Sequence, residues 1–387
     1  MTKTSVYLDH NASTVLLPQA KEAILAAFDI SGNPSSIHKY GRSLNAIIDE
    51  ARTNVAKTAG AKRSEVIFTG SATESISQAI IGGSNALEVD QIIISAGEHA
   101  APLKAAKASG KDVEEIFLLE NGLIDIAQLK DALLKLDESG KTALVCMHEV
   151  NNETGIIQPI KQIETLVGAT RHFLFIDAVQ AFGKFDLDFS SRPVDMMAIS
   201  AHKAGGPVGV GALLVKSHCD EVRIIHGGGQ EQGRRSGTQS APLIAGFGAA
   251  AKYFPISYDA KKIAGLVSSI EEGIKNLRSD VVIFGQEAER MGNVINFAVP
   301  ELKAHTALMG LDLEGVCVSS GSACSSGKVT YSHVLCAMGI SPKLATGRLR
   351  VSLGWNSTKQ DVEAFLIAFE KILKRHEYGL KNPAQEN

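Results

Sequence analysis

Lys203 stands where an apolar run ends, in Ser200-Ala201-His202-Lys203 after Met196–Ile199, and Ala204-Gly205-Gly206-Pro207 follows it. Lysine is rarely buried without a partner, so an ammonium at the end of a core strand is unusual. In a low-dielectric pocket such a lysine loses proton affinity and becomes an amine nucleophile able to form imines. An exposed loop lysine is the ordinary alternative, but the flanking serine, histidine and glycines weigh against it. Asp177 likewise ends the run Phe173–Ile176, with Gln180 three residues later. A carboxylate in that place needs a partner. A helix amino terminus is one candidate, and a protonated heterocyclic nitrogen is another.

Other polar residues follow other apolar runs. Gly70-Ser-Ala-Thr-Glu-Ser opens a helical pattern after Ile67-Phe68. It suits a helix cap, or a phosphate held by backbone N–H groups and the Thr73 hydroxyl. Glu98-His99 follows Ile92-Ile93-Ile94, where a lone histidine is more often packed than catalytic. Asn151-Asn152-Glu153-Thr154-Gly155 reads as a turn or as an amide donor aimed at a ligand. The segment from His226 to Thr238 carries glycines with Arg234 and Arg235, either to wrap an anion or as a linker. Ser319-Ser-Gly-Ser-Ala-Cys324-Ser-Ser-Gly327 holds a single reactive side chain, Cys324. It is a surface loop with an incidental thiol, or a thiolate that travels to a substrate; the hazard of an exposed free cysteine favours a role. Cys146 lies inside an apolar run and belongs in the core, and the apolar neighbours of Cys317 and Cys336 predict the same for them.

Positioning such residues takes a scaffold. Short apolar runs recur at Val66–Phe68, Gln91–Ser95, Ala143–Met147, Phe173–Ile176, Met196–Ile199 and Gly211–Val215. Between them lie helical patterns at Glu74–Ile81, Ala100–Ala108, Ile124–Leu136 and Ile160–Gly168. This alternation predicts an α/β fold with a largely parallel sheet and crossover helices. In such sheets ligands sit beyond the carboxyl ends of the strands, where the residues above fall. After about Phe254 the pattern changes to a long helix, Ile263–Leu277, strands at Val281–Phe284 and Val294–Phe297, and a closing helix, Lys359–Arg375. We therefore expect a large domain over 15–255 and a smaller α+β domain from 1–14 and 256–387 that carries the Cys324 loop.

The 387 residues suit two domains. A net charge of −3 gives no reason to expect nucleic acid or a membrane surface as the main partner. No segment approaches the apolar length of a bilayer span, and the first residues lack the layout of a signal peptide, so a cytoplasmic protein is expected. Five sparse cysteines argue against a disulfide framework, and without a CxxC pair no metal site is expected.

Together these segments resemble one family, the pyridoxal-phosphate (PLP)-dependent cysteine desulfurases of the class-V aminotransferase group. The matching segments are Tyr7-Leu-Asp-His-Asn-Ala, Asn33-Pro-Ser-Ser-Ile-His, Gly70-Ser-Ala-Thr-Glu-Ser, Glu98-His99 and Asn151-Asn-Glu-Thr-Gly155. They continue in the family's order with Asp177-Ala-Val-Gln180, Ser200-Ala-His-Lys203, Arg235-Ser-Gly-Thr238 and Ser319-Ser-Gly-Ser-Ala-Cys324. The last resembles the subgroup with a long mobile cysteine loop.

The resemblance implies a PLP-dependent aminotransferase-like fold (fold type I). It also implies conversion of L-cysteine to L-alanine, with sulfur left as a persulfide on Cys324 for iron–sulfur cluster assembly or other sulfur transfer. Lys203 would carry the cofactor as a Schiff base, Asp177 would pair with the ring nitrogen, and Gln180 would bond the phenolic oxygen. His99 would stack on the ring and move protons as a catalytic residue, while Ala72, Thr73, Ser200 and His202 would hold the phosphate. Thr238 would reach the phosphate of the neighbouring subunit, which implies a homodimer. Asn152 and Arg350 would bind the substrate carboxylate. A sulfur-acceptor protein is implied as partner. Selenocysteine lyase, or another class-V PLP aminotransferase or lyase, is the alternative activity. The chain departs from the family at Ala204–Val208, Gln232, Cys336 and Trp355, and its tail after Arg375 is short.

Overall fold

The computed structural model describes residues 5–320 and 331–381, with side chains through Tyr378. The chain opens with a short strand, β1 (Val6–Tyr7). A seven-stranded sheet then forms from β2 (Val66–Thr69), β3 (Gln91–Ser95), β4 (Asp112–Ile116), β5 (Ala143–His148), β6 (Phe173–Asp177), β7 (Met196–Ser200) and β8 (Gly211–Val215). Its order is β2-β8-β7-β6-β5-β3-β4. The strands from β7 to β4 run parallel, whereas β8 is antiparallel to both β7 and β2.

Helices cover both faces, so the central strands are apolar throughout rather than alternating. On one face Ile93, Val145, Met147, Leu174, Ile176, Met197 and Ile199 join one core. On the other face Ile92, Ile94, Leu144, Cys146, Phe175, Met196 and Ala198 join a second. The period of two along each strand sorts these side chains. The edge strand β4, Asp-Val-Glu-Glu-Ile, is mostly exposed and is absent from the sequence reading because its charge hides the strand pattern.

The remaining strands are β9 (Val282–Ile283), β10 (Val294–Ala298), β11 (Val316–Cys317) and β12 (Arg348–Ser352). β12, β10 and β9 make a three-stranded antiparallel sheet, and β1 pairs with β11 in parallel. One face of the small sheet packs Ile295 and Phe297 with Phe365 and Phe369 of the helix Lys359–Lys381. The other face approaches the loop after β5. A Cβ on Gly155 (φ +76°) would stand 2.4 Å from Val294 Cγ1, so that turn needs glycine for both conformation and space.

Two cysteine expectations are corrected. Cys146 is buried as expected, but Cys317 is half-buried and Cys336 is exposed. In the short helix His333–Ala337, Val334 and Leu335 take the inward positions and leave Cys336 on the outer side.

Because β3, β5, β6 and β7 are parallel, their carboxyl ends bring Glu98, His148, Asp177 and Lys203 to one edge of the sheet. Gly211 pairs in register with Ser200 on one side and Thr69 on the other. A Cβ there would lie 2.8 Å from Ser71 C and 2.9 Å from Ala72 N. Gly211 thus lets the start of the helix Ala72–Ser77 close against the end of β7. Overpacking against backbone typically costs about 1–3 kcal/mol, and Gly211→Ala is expected to destabilise by that order. A thermal unfolding midpoint equal to that of the parent would refute this account of the packing.

Candidate active site

Lys203 closes a single helical turn, Ala201–Lys203, directly after β7. Its Nζ donates to the backbone carbonyls of Asn11, at 2.6 Å, and Ala12, at 2.7 Å. The amino-terminal segment is laced onto this turn, with Thr14 N–H donating to His202 O and Leu17 N–H to Gly205 O, both at 2.9 Å. Gly205 has φ +71°, and a Cβ on it would lie 2.7 Å from Leu17 Cγ. The small residues after Lys203, where this chain departs from the family pattern, therefore make room for that segment. Trp355, another departure, holds the same segment by donating from Nε1 to Val15 O at 3.0 Å.

Asp177 ends β6 and is buried, with Oδ1 accepting from Val179 N–H at 2.9 Å. Burial, then the nearby Glu98 charge, pushes its carboxyl up to about 6, against the pull of Val179 N–H, His148 and Lys203. Glu98 is fully buried and its Oε1 lies 2.6 Å from His148 Nδ1. Burial alone would depress His148, but the charge and hydrogen bond of Glu98, and then Asp177, outweigh it and raise its proton affinity. Gln180 is buried and donates from Nε2 to Asn11 O at 3.1 Å, while Lys184 Nζ approaches its Oε1 at 3.4 Å. Burial, and then Lys203, lowers Lys184 to about 7.

His99 caps the helix Ala100–Ala108, its Nδ1 accepting from Ala101 N–H at 3.1 Å. Burial first, then Lys203, His333, Arg350 and Lys104, lowers it to about 4. His202 Nδ1 lies 3.3 Å from Ser13 Oγ, and burial followed by Lys203 lowers it to about 4 as well. Both rings are neutral at neutral pH. Ser200 is buried at the end of β7. Ala72 and Thr73 form the first turn of the helix capped by Ser71 Oγ, with Thr73 exposed.

At the opposite side Arg350 on β12 is buried and donates from NH1 to Asn152 O at 3.1 Å and from NH2 to Asp9 Oδ1 at 2.8 Å. The Asn152 backbone also accepts from Asn11 Nδ2 at 3.1 Å. Arg350 and Asn152 are thus brought together, through the Asn152 backbone carbonyl. Thr238 stands apart from them and is exposed. Its loop is tied to the helix Ala72–Ser77 by Arg235, which donates from Nε to Glu74 Oε1 at 2.7 Å. Cys324 lies outside the described residues.

Sequence reasoning missed Asn11, although it lies in a quoted motif. Beyond the bonds above, Asn11 N–H donates to Ser352 Oγ and its Oδ1 accepts from Asn293, both at 2.9 Å. It also missed His148. The signal was present there, because His148 follows the apolar run Ala143–Met147 as Asp177 and Lys203 follow theirs.

An amine, a buried carboxylate and a hydroxyl-bearing helix start thus lie at the carboxyl edge of a mostly parallel open sheet, the place where such folds hold their ligands. The sequence model of the class-V aminotransferases matches residues 6–365. A protein of Dictyoglomus turgidum named cysteine desulfurase IscS is 38% identical over 382 residues, covering 96% of this chain and 95% of that one. Among solved structures, a NifS-like protein from Rickettsia africae has a TM-score of 0.86 at 32% identity, covering 96% of this chain and 99% of the other. SspA, solved in complex with cysteine, has a TM-score of 0.79 at 32% identity over 92% of this chain and all of its own (100%). The chain belongs to the class-V aminotransferase family, among its cysteine desulfurases.

The lowered histidines carry a stability signature. His99 and His202 fall from an ordinary 6.5 to about 4 on folding, and so does His10, by burial first and then the Lys184 charge. Between those values the unfolded chain binds more protons, so stability present at neutral pH is lost as pH falls through that window. Asp177, raised from 3.8 to about 6, works in the opposite direction. Asparagine keeps a capping oxygen but does not titrate. Cofactor-free His99→Asn is therefore expected to lose less thermal stability than the parent between pH 6.5 and 4. Parallel curves of unfolding temperature against pH would contradict it.

Proposed function

We propose that this enzyme binds pyridoxal 5′-phosphate at Lys203 and converts L-cysteine to L-alanine, the sulfur passing to Cys324 as a persulfide. The observation that carries this reading is Lys203 itself, an amine at the carboxyl edge of the sheet within the field of Asp177, His99 and His202. The chain's own residues fit the cofactor. Two buried carboxylates, Asp177 and Glu98, call for more positive charge than His148 supplies, and a protonated ring nitrogen would provide it. Asp177 would hold that nitrogen and Gln180 the phenolic oxygen, with neutral His99 against the ring. Ala72, Thr73, Ser200 and His202 would hold the phosphate, joined by Thr238 of the neighbouring subunit in a homodimer. Asn152 and Arg350 would take the substrate carboxylate, the guanidinium lying beside the Asn152 backbone.

When bound, PLP supplies an electron sink for negative charge at the substrate Cα. Lys203 Nζ is the group placed to remove the Cα proton, and the carbonyls of Asn11 and Ala12 are ready to hold the ammonium that results. Cys324 then contributes a thiolate. An S–S bond forms as the substrate Cβ–S bond breaks, the electron pair stays on carbon, and protonation gives alanine. The outer sulfur of the persulfide passes to an acceptor protein, in iron–sulfur cluster assembly or another sulfur transfer.

The test is incubation of the PLP-loaded protein with L-cysteine and a thiol reductant, measuring alanine and sulfide. Both are expected from the parent. Lys203→Ala should lose the yellow absorbance and both products, whereas Cys324→Ala should keep the colour and lose sulfide release. A PLP-loaded parent that forms neither product overturns the reading. Full sulfide release by Cys324→Ala would reassign the chain to lyases that need no thiol.

A further inference from the structure

We propose that His148 is a positioning residue, held as an imidazolium between Glu98 and Asp177, and that it keeps Asp177 ionised against the ring nitrogen of the cofactor. The inference rests on the PLP reading above. Its foundation is geometric. Glu98 Oε1 and His148 Nδ1 are 2.6 Å apart, with side chains 0% and 5% exposed. His148 and Asp177 are Cα partners in the parallel pair β5–β6, so their side chains leave the same face of the sheet side by side. The second atoms of the pair, Glu98 Oε2 and His148 Nε2, are buried and have no hydrogen-bond partner among the described residues.

A carboxylate removed from water requires a compensating charge. Glu98 has one ion-pair partner among the described residues, and it is His148. With the ring charged, Glu98, His148 and Asp177 sum to one negative charge, which a protonated ring nitrogen balances. With the ring neutral the same three sum to two negative charges. Asp177, already raised by burial and by Glu98, would then take the proton itself. The charged and titratable groups around the triad come from several elements. Glu98 follows β3, His148 ends β5 and Lys203 follows β7, and all three act on Asp177. Cys146, on β5, also feels the Glu98 charge, and His333 Nε2 lies 2.6 Å from the Glu98 backbone carbonyl.

The arrangement explains why a histidine is needed. A lysine would carry the charge without a fixed plane, and an asparagine would give the hydrogen bond without the charge. The imidazole meets Glu98 at Nδ1 and keeps its second nitrogen, Nε2, buried without a hydrogen-bond partner among the described residues, in the field of Asp177.

The experiment follows the ring-nitrogen proton by NMR, in holoenzyme loaded with isotope-labelled PLP. The parent should show a protonated ring nitrogen at neutral pH. His148→Gln, which keeps a donor for Glu98 but no charge, should lose that proton at neutral pH and lower kcat with KM held. The double variant Glu98→Gln/His148→Gln removes both charges of the pair and should restore the proton. A ring nitrogen that stays protonated in His148→Gln overturns the proposal and leaves the PLP reading standing. Failure of the parent to take up PLP overturns both. If His148→Gln does not fold, the imidazole resonances of His148 in the parent decide: a ring that is neutral at neutral pH overturns the proposal, and one still charged supports it.

Discussion

At the carboxyl ends of β3, β5, β6 and β7, Glu98, His148, Asp177 and Lys203 are brought together, and the proton affinities of His148 and Asp177 then depend on burial and on their neighbours' charges. Inside the protein the low dielectric lengthens the reach of every charge. Lys203 depresses His99, His202 and Lys184, and Glu98 raises Asp177 and His148. The sheet imposes this crowding, because β3, β5, β6 and β7 point the same way and deliver their terminal side chains to one edge.

That edge would be loosely held if the large sheet were its only support. The turn at Asn11 joins it to the small sheet. Its backbone carbonyl accepts from Lys203 and Gln180, its side chain spans Asn152 and Asn293, and its N–H reaches Ser352 on β12. Arg350, on the same strand, reaches back to Asn152 and Asp9. Separation of the two sheets would break the bonds that hold the Lys203 ammonium and those that fix the Arg350 guanidinium. The positions of Lys203 and Arg350 are therefore mechanically linked through one turn.

How much of this could be read from sequence depends on what each residue contributes. Strands buried on both faces announce themselves as unbroken apolar runs, and six of the seven large-sheet strands begin and end within a residue of the expected runs. The charged edge strand β4 was invisible, and so was β12 although Arg350 was singled out, because Arg348 and Arg350 are buried arginines at positions that normally read as solvent-facing. Asp177 and Lys203 were legible because a titratable side chain at the end of a core strand is rare. Asn11 was not, since its contact with Lys203 is made by a backbone carbonyl, which every residue type possesses. Cys336 was misplaced because apolar neighbours in sequence predict burial only until the helix direction is known.

Sulfur chemistry makes two demands that a thiol fixed in regular structure meets poorly: reaching a buried reaction centre and then handing the sulfur to a partner outside. Cys146 sits in the middle of β5, where burial and then Glu98 raise its proton affinity, and burial pushes Cys219 up to about 12. Cys317 is held in β11 and is raised by burial and then by Asp312 and Asp9. The thiolate is the reactive form, so these three positions disfavour it twice, by geometry and by charge. Cys336 meets solvent but is fixed in the helix His333–Ala337. The serine- and glycine-rich surroundings of Cys324 impose neither restriction in sequence terms. On the function proposed above, the described site would activate the amino-acid substrate and Cys324 would take its sulfur.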